Sequence, residues 1–267
     1  MSLDPNKTYL VWNGTEFPNS TNAQFKAPTG STIDWGDGTV ETFDTVSTTV
    51  NTHTYTDGKT EHTIAISGLT SIGNGAFYNC SSLTSMTIGN SVTSIGYSVF
   101  FDCSSLTSVT IPNSVTSIGP SAFRNCSSLT RVIIPDSVTS IGFDVFINCS
   151  SLTQLILFPS TPPTLGSNAI PSTIQSIYVQ QSSKAAYQAA TNWNAFASKI
   201  ISDNIYLSFV RFNQKNKEYI NEKISESTPP SINVVQTTGN SETDVMSQKA
   251  VTDAINAAVT TTLNTEV

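Results

Sequence analysis

"SVTSIGYSVFFDCSSLTSVTIPN" occupies Ser91–Asn113, and "SVTSIGPSAFRNCSSLTRVIIPD" follows at once as Ser114–Asp136. Each is 23 residues long, and the same step runs through the chain on either side. It links Cys80, Cys103, Cys126 and Cys149, and it links Phe77, Phe100, Phe123 and Phe146. It also links Ile72, Ile95, Ile118 and Ile141, then Gly73, Gly96, Gly119 and Gly142, then Leu83, Leu106, Leu129 and Leu152. A fixed period of this length predicts a solenoid, in which no unit can bury its apolar face without its neighbours.

Inside each unit "SLTSVTI" spaces Leu106, Val109 and Ile111 as a short strand with Thr110 facing outward. "SVTSIG" gives a second short extended piece. The following Ala-Phe and Cys are expected to turn inward over about one helical turn. Equivalent residues of successive coils would then stack into ladders about 4.8 Å apart.

The string "IPNSVTSIGPSAFRNCSSLTRVIIPDSVTSIG" resembles the BspA-type leucine-rich repeat, a module of surface and secreted proteins of gut bacteria and of their phages. The resemblance is close from about Gly68 to Leu157. It implies a mainly β fold with some α, a repeat array over 68–180. A degenerate coil follows in which Ile174, Ile177 and Val179 keep the apolar spacing. Residues 181–202, "QSSKAAYQAATNWNAFASKIIS", resemble the capping helix of such arrays, with Tyr187, Trp193 and Phe196 covering the last coil.

Upstream, residues 1–67 read as short strands. "STIDWGDGTVETF" and "NTHTYTDGKTEHTIAIS" resemble the turn and final strands of PKD-like β-sandwiches, in a length short for that family. This small β domain is expected to abut the first coil as its cap. Downstream, residues 203–228 are expected to form a helix whose stripe includes Ile205, Phe209, Phe212, Tyr219 and Ile224. Paired prolines at 229 and 230 end it, opening a linker over 229–240. A last helix over 241–267 starts at Ser241 and places Met246, Ala250, Ala254 and Ala257 on one face. The string "TGNSETDVMSQKAVT" resembles a segment of structural proteins, especially fibres, of phages of gut Bacteroidetes. That resemblance implies that Ile205, Phe209, Phe212, Tyr219, Met246, Ala250 and Ala254 oligomerise the chain, as a trimer, or attach it to a virion.

Composition narrows the chemistry. Charged residues are 12% of the 267 and the formal net charge is −7. A weakly ionic, acidic chain is a poor partner for nucleic acid, which is held through clustered Lys and Arg. No run of apolar residues is long enough to insert in a membrane. The N-terminus lacks the basic start and apolar core of a secretory signal peptide.

Catalytic and metal-binding patterns are sparse. Counting back from Asp57-Gly58 as a two-residue turn puts His53 opposite His62, an exposed cross-strand pair with no third metal ligand in view. Asp34, Asp37, Glu41 and Asp44 gather around one turn; the reading is a plain turn, with calcium left open. The cysteines lack the C-x-x-C spacing of zinc sites and are expected to be buried, reduced thiols. With no serine elbow, P-loop or acid/base pair, no cofactor and no enzymatic activity are expected.

The letters that differ between coils mark the candidate binding surface. After each ladder Phe stand Tyr78, Phe101, Arg124 and Ile147; after each Gly stand Asn74, Tyr97, Pro120 and Phe143. The outward strand positions read Ser85, Ser108, Arg131, Gln154 and Thr87, Thr110, Ile133, Ile156. Tyr, Phe and Arg are frequent binding anchors, so Tyr78, Tyr97, Phe101, Arg124, Arg131 and Phe143 are the predicted recognition stripe. The first functional reading is a phage head or tail fibre on the virion surface, its partners a bacterial cell-surface glycan or protein and other virion proteins. A secreted or surface adhesin binding host protein or glycan is the alternative, and a glycan-acting enzyme the third.

Overall fold

The computed structural model describes residues 4–13, 16–17, 25–26, 31–42, 53–204, 207 and 210. Two units are distinguished, Met1–Glu226 and Ser227–Val267, and every described residue lies in the first. Seven strands precede the repeats: β1 (Thr8–Asn13), β2 (Glu16–Phe17), β3 (Phe25–Lys26), β4 (Thr32–Asp34), β5 (Val40–Thr42), β6 (His53–Thr54) and β7 (Glu61–Ile66). The repeats then alternate two-residue strands with longer ones. The short series is β8 (Ser71–Ile72), β10 (Ser94–Ile95), β12 (Ser117–Ile118), β14 (Ser140–Ile141) and β16 (Thr164–Leu165). The long series is β9 (Leu83–Thr87), β11 (Ser108–Thr110), β13 (Arg131–Ile134), β15 (Gln154–Leu157), β17 (Ser176–Val179) and, after the helical segment, β18 (Ile200–Ser202).

Both series pair in parallel, the short one from β8 through β16 and the long one in two runs, β9–β11 and β13–β15–β17–β18. Ser94 lies opposite Ser117 and Ile95 opposite Ile118; Ser85, Met86 and Thr87 lie opposite Ser108, Val109 and Thr110. The register matches the sequence period, as it must if one apolar set is to face inward in every coil. Val109 is buried between exposed Ser108 and Thr110, in agreement with the predicted alternation. The degenerate coil obeys the same rule, with Leu155 opposite Ile177.

The segment after each Gly differs from the expected helical turn. Tyr78 N–H bonds back to Gly75 O (2.9 Å) and Cys80 N–H to Phe77 O (3.2 Å), but alternate amides cross to the next coil. Gly75 N–H donates to Tyr97 O, Phe77 N–H to Val99 O and Asn79 N–H to Phe101 O, at 2.7–2.8 Å. A helix would send every amide back into its own coil and leave the neighbouring carbonyls unpaired in a buried stack. The alternation needs left-handed residues, and the sequence supplies them: Ser98 (φ 51°), Asp102 (φ 61°), Ser121 (φ 55°), Asn125 (φ 63°), Asp144 (φ 56°) and Asn148 (φ 60°).

The interior is a set of ladders. Phe77, Phe100, Phe123 and Phe146 are fully buried and stack nearly parallel at centroid spacings of 5.4, 5.0 and 5.5 Å. Beside them run the four cysteines, buried and unpaired by disulfide. The Cys103, Cys126 and Cys149 thiols donate to the carbonyls of Phe77, Phe100 and Phe123 at 3.0–3.1 Å. Burial pushes the Cys103 and Cys126 thiols well above their ordinary range, so these two stay protonated and neutral. The Gly ladder marks the tightest corner: a Cβ on Gly119 would sit 2.6 Å from Gly96 C and O.

Both ends of the repeats are built upon. β1 pairs antiparallel with β9 on one edge (Leu10 opposite Met86) and with β7 on the other. One six-stranded sheet, β11-β9-β1-β7-β4-β5, therefore runs across the residue-67 boundary without interruption. At the other end residues 181–202 are not one helix. A 3-10 turn at Gln181–Ser183 leads into the short α1 (Lys184–Ala189), and a second 3-10 turn covers Asn194–Lys199. Extended Ala190 (ψ 144°) and left-handed Asn192 (φ 66°) stop the helix between them. The kink delivers two aromatics to the core: Tyr187 and Trp193 are buried and meet edge-to-face at 5.2 Å. Their polar tips are satisfied by Pro159 O and Pro163 O at 3.0 and 2.8 Å. Phe196 is half-buried against the same core.

Candidate functional site

The turn after each Gly forms one edge of the repeat stack, and the fold brings most of the predicted stripe there. Tyr78 and Phe101 stack face to face at 4.9 Å and 13°. The Arg124 guanidinium carbon lies 5.6 Å from the Phe101 ring centre on the next coil. Arg124 Nη1 then reaches Asp144 Oδ2 at 3.3 Å, while its Nε is buried without a partner. Tyr78, Phe101, Arg124 and Asp144 are thus one column bonded to itself along the stack. Next to it runs an amide ladder, in which Asn148 Nδ2 donates to Asn125 Oδ1 (2.9 Å) and Asn125 Nδ2 to Asp102 Oδ1 (2.5 Å).

Tyr97 and Phe143 occupy the other row of this edge, with half-buried Pro120 between them in sequence register. They are the most exposed aromatics of the repeats, at 50% and 48%, against 39% for Tyr78. Asn74, one coil before Tyr97, accepts the Tyr97 N–H through Oδ1 at 2.9 Å. Arg131 stands apart. It is exposed in β13, on the strand side of the coil, opposite Gln154.

That strand side holds residues that reading the repeat missed. Leu207 and Val210, only 4% and 7% exposed, pack with Ile156 and Phe158 in a second apolar cluster, with Ile133 and Tyr178 against it. Ile133 and Ile156 are outward positions that carry Thr in the first two coils, so they are a covered face and not free surface. The signal was present in the change from Thr87 and Thr110 to Ile133 and Ile156. The predicted oligomerisation residues Ile205, Phe209, Phe212, Tyr219, Met246, Ala250 and Ala254 lie outside the described residues, or have side chains outside them.

The two histidines are not an exposed cross-strand pair. The segment after β6 is no two-residue hairpin: Trp12 of β1 takes the place opposite His62, and Tyr55 enters between the imidazoles. Tyr55 stacks on His62 at 3.5 Å and meets His53 edge-on at 4.7 Å, while Trp35 stacks on the far side of His53 at 4.8 Å. Each imidazole also holds an aspartate: His53 Nε2 to Asp37 Oδ2 at 2.7 Å, His62 Nε2 to Asp57 Oδ1 at 3.0 Å. The His53 bond, with the Thr39 amide, holds the Asp37 carboxyl down at about 2; the His62 bond, with the Lys59 amide, holds Asp57 lower still. Asp34 Oδ1 accepts Gly36 N–H and Asp37 Oδ1 accepts Thr39 N–H, which makes this acidic loop a hydrogen-bonded turn. Among the described residues no three His, Cys, Asp or Glu side chains gather as a metal would require, and no helix is long and apolar enough to cross a membrane. Asp44 lies outside the described residues.

With this geometry in view, residues 48–176 match the BspA type leucine-rich repeat region in six copies. The segment is a BspA-type leucine-rich repeat region, and it reaches further at both ends than the four cysteine-bearing coils. Among solved structures the chain is similar to the leucine-rich repeat protein TpLRR of T. pallidum, with 30% identity over 46% of this chain and 55% of that one (TM-score 0.40). A leucine-rich repeat protein of Bacteroides ovatus ATCC 8483 shares 24% identity over 51% of this chain and 40% of that one (TM-score 0.35). The pneumococcal vaccine antigen PcpA shares 18% over 51% and 38% (TM-score 0.37). The chain thus spans about half the length of the T. pallidum protein. No curated protein matches it.

Proposed function

We propose that this chain is a non-enzymatic recognition protein that works outside the cell or on a particle surface, using the turn edge of a leucine-rich-repeat solenoid to hold a surface ligand. One observation carries the reading: inward positions repeat coil after coil, whereas the edge positions Tyr78, Tyr97, Phe101, Arg124 and Phe143 change from coil to coil and remain accessible to different degrees. A rigid stack with an individually written edge suits binding, because little is lost in ordering the contact residues. In this reading the strands before the repeats and the segment after them cap the two open ends.

The setting we favour is a virion, with the protein serving as a head or tail fibre and residues 227–267 joining copies as a trimer or to the particle. The support is the string "TGNSETDVMSQKAVT", which resembles fibre segments of phages of gut Bacteroidetes. Leu207 and Val210 are engaged with the repeats within one copy, so they are not counted among the joining residues. Two measurements test the proposal. Labelled full-length protein should adsorb to gut Bacteroidetes cells of at least one strain, and adsorption to none would refute recognition. The mass in solution should be that of a trimer for the whole chain and a monomer for residues 1–226; a monomer in both would refute the fibre.

A further inference from the structure

We infer that the row Tyr97–Pro120–Phe143 is a stacking platform for a neutral polysaccharide strand lying along the coil axis, a narrowing that rests on the recognition reading above.

Self-satisfaction divides the edge aromatics into two kinds. Phe101 has one face on Tyr78 and the other toward Arg124, so neither face is open to a ligand. Among the described residues Tyr97 and Phe143 form neither kind of pair, and each keeps about half of its surface in water. They stand at equivalent positions two coils apart, about 10 Å at the spacing of parallel strands. Pro120 fills the intervening coil with a compact, half-buried ring that does not rise as an aromatic would. Two open rings separated by a low step are matched by a chain that offers an apolar face at a regular interval. Pyranose rings do so: their axial C–H faces lie on an aromatic ring while their hydroxyls point sideways.

Charge on this edge fixes the kind of strand. Arg124, the cation of the neighbouring column, is spent on Asp144, the residue after Phe143. The Asp102 carboxylate is spent on the Asn125 amide. The Asn125 amide is neutral, so Asp102 keeps its negative charge beside the Arg124–Asp144 ion pair, and the edge has no reward for a phosphate, sulfate or carboxylate. Beside the rings remain neutral amides such as Asn74 and the exposed Asn148, suited to hydroxyl groups. A polyproline-type peptide also stacks on aromatics, but it docks in grooves between them. Tyr97 and Phe143 stand on single rows of a turn edge, with each neighbouring coil of their row bearing Asn, Pro or Ser.

The test is native electrophoresis of the full chain in gels cast with soluble neutral glucan, mannan or galactan, with alginate and a proline decamer as the charged and peptide probes. We expect at least one neutral polysaccharide to retard the protein. Tyr97→Ala and Phe143→Ala should each weaken retardation about three- to tenfold, the scale of one aromatic contact, and the double variant should run as in plain gel. Tyr78→Ala, altering the self-stacked column, should retain at least half of the retardation. Near-ultraviolet dichroism matching the parent shows that each variant is folded. The inference is overturned if no neutral polysaccharide retards the chain, if the double variant is retarded like the parent, or if only alginate or the proline peptide depends on these rings. Cell adsorption run in parallel separates the two levels: cells bound without any polysaccharide retardation sinks this inference alone, whereas no adsorption at all sinks the recognition reading beneath it.

Discussion

Single residues in this fold are held by their copies one coil away, so small changes have consequences beyond their size. Gly119 is one such case. A methyl there would lie 2.6 Å from Gly96 backbone atoms, and the preceding coil can yield only by losing its own strand register. Gly119→Ala should lower unfolding stability by about 2 kcal/mol or more, read from the urea midpoint. Phe100→Ala removes a fully buried ring stacked on both sides and should cost about 3–5 kcal/mol in the same measurement. The aspartate–histidine pairs set a response to acid. Asp37 titrates at about 2 when folded against 3.8 ordinarily, so its contribution is complete above pH 4 and disappears as pH falls towards 2. Asp37→Asn should therefore be less stable than the parent at pH 5, with the difference shrinking as both are taken to pH 2; a constant difference would contradict the assignment.

At the scale of elements, the sequence announced what repeats and concealed what does not. The Phe, Cys, Ile, Gly and Leu ladders were readable because packing writes the same letter every 23 residues. Parallel register followed from them without further information. The turn segment was misread as helical because short i−3 bonds have a helix-like local signature, whereas the amides that cross to the next coil leave no local mark. The histidine pair was misplaced for a similar reason. A hairpin inferred from Asp57-Gly58 is a local judgement, and β1, more than 40 residues earlier, claims the position opposite His62. Ile133 and Ile156 were legible as a departure from Thr but not as a contact, since their partners Leu207 and Val210 lie outside the repeat. Leu207→Asp should uncover that apolar face. The expected results are increased binding of a hydrophobic dye and a stability loss of about 2 kcal/mol or more, with Leu207→Met close to the parent.

The repeat region is a stack whose interior is common to every coil and whose edge is written one coil at a time. Recognition by such an object requires that successive coils stay in register, because a one-residue slip would carry Tyr97 and Phe143 off their shared row and turn the Phe ladder outward. The candidate edge was legible in part: its positions followed from the period, but which rings are exposed depends on contacts between coils. Tyr78, Phe101 and Arg124 contact one another along the stack, and Tyr97 and Phe143 are left about half exposed. Register is best tested by paired cysteines on the exposed Thr row, remote from the buried native thiols. Thr116 Oγ1 donates to Thr93 O one coil below, which places the two backbones at disulfide distance. Mild oxidation of the Thr93→Cys/Thr116→Cys protein should form the new disulfide, seen as a linked peptide pair by mass spectrometry, whereas Thr93→Cys/Thr139→Cys, two coils apart, should not. Cross-linking of the second pair, or failure of the first in folded protein, would contradict the stacked-coil account.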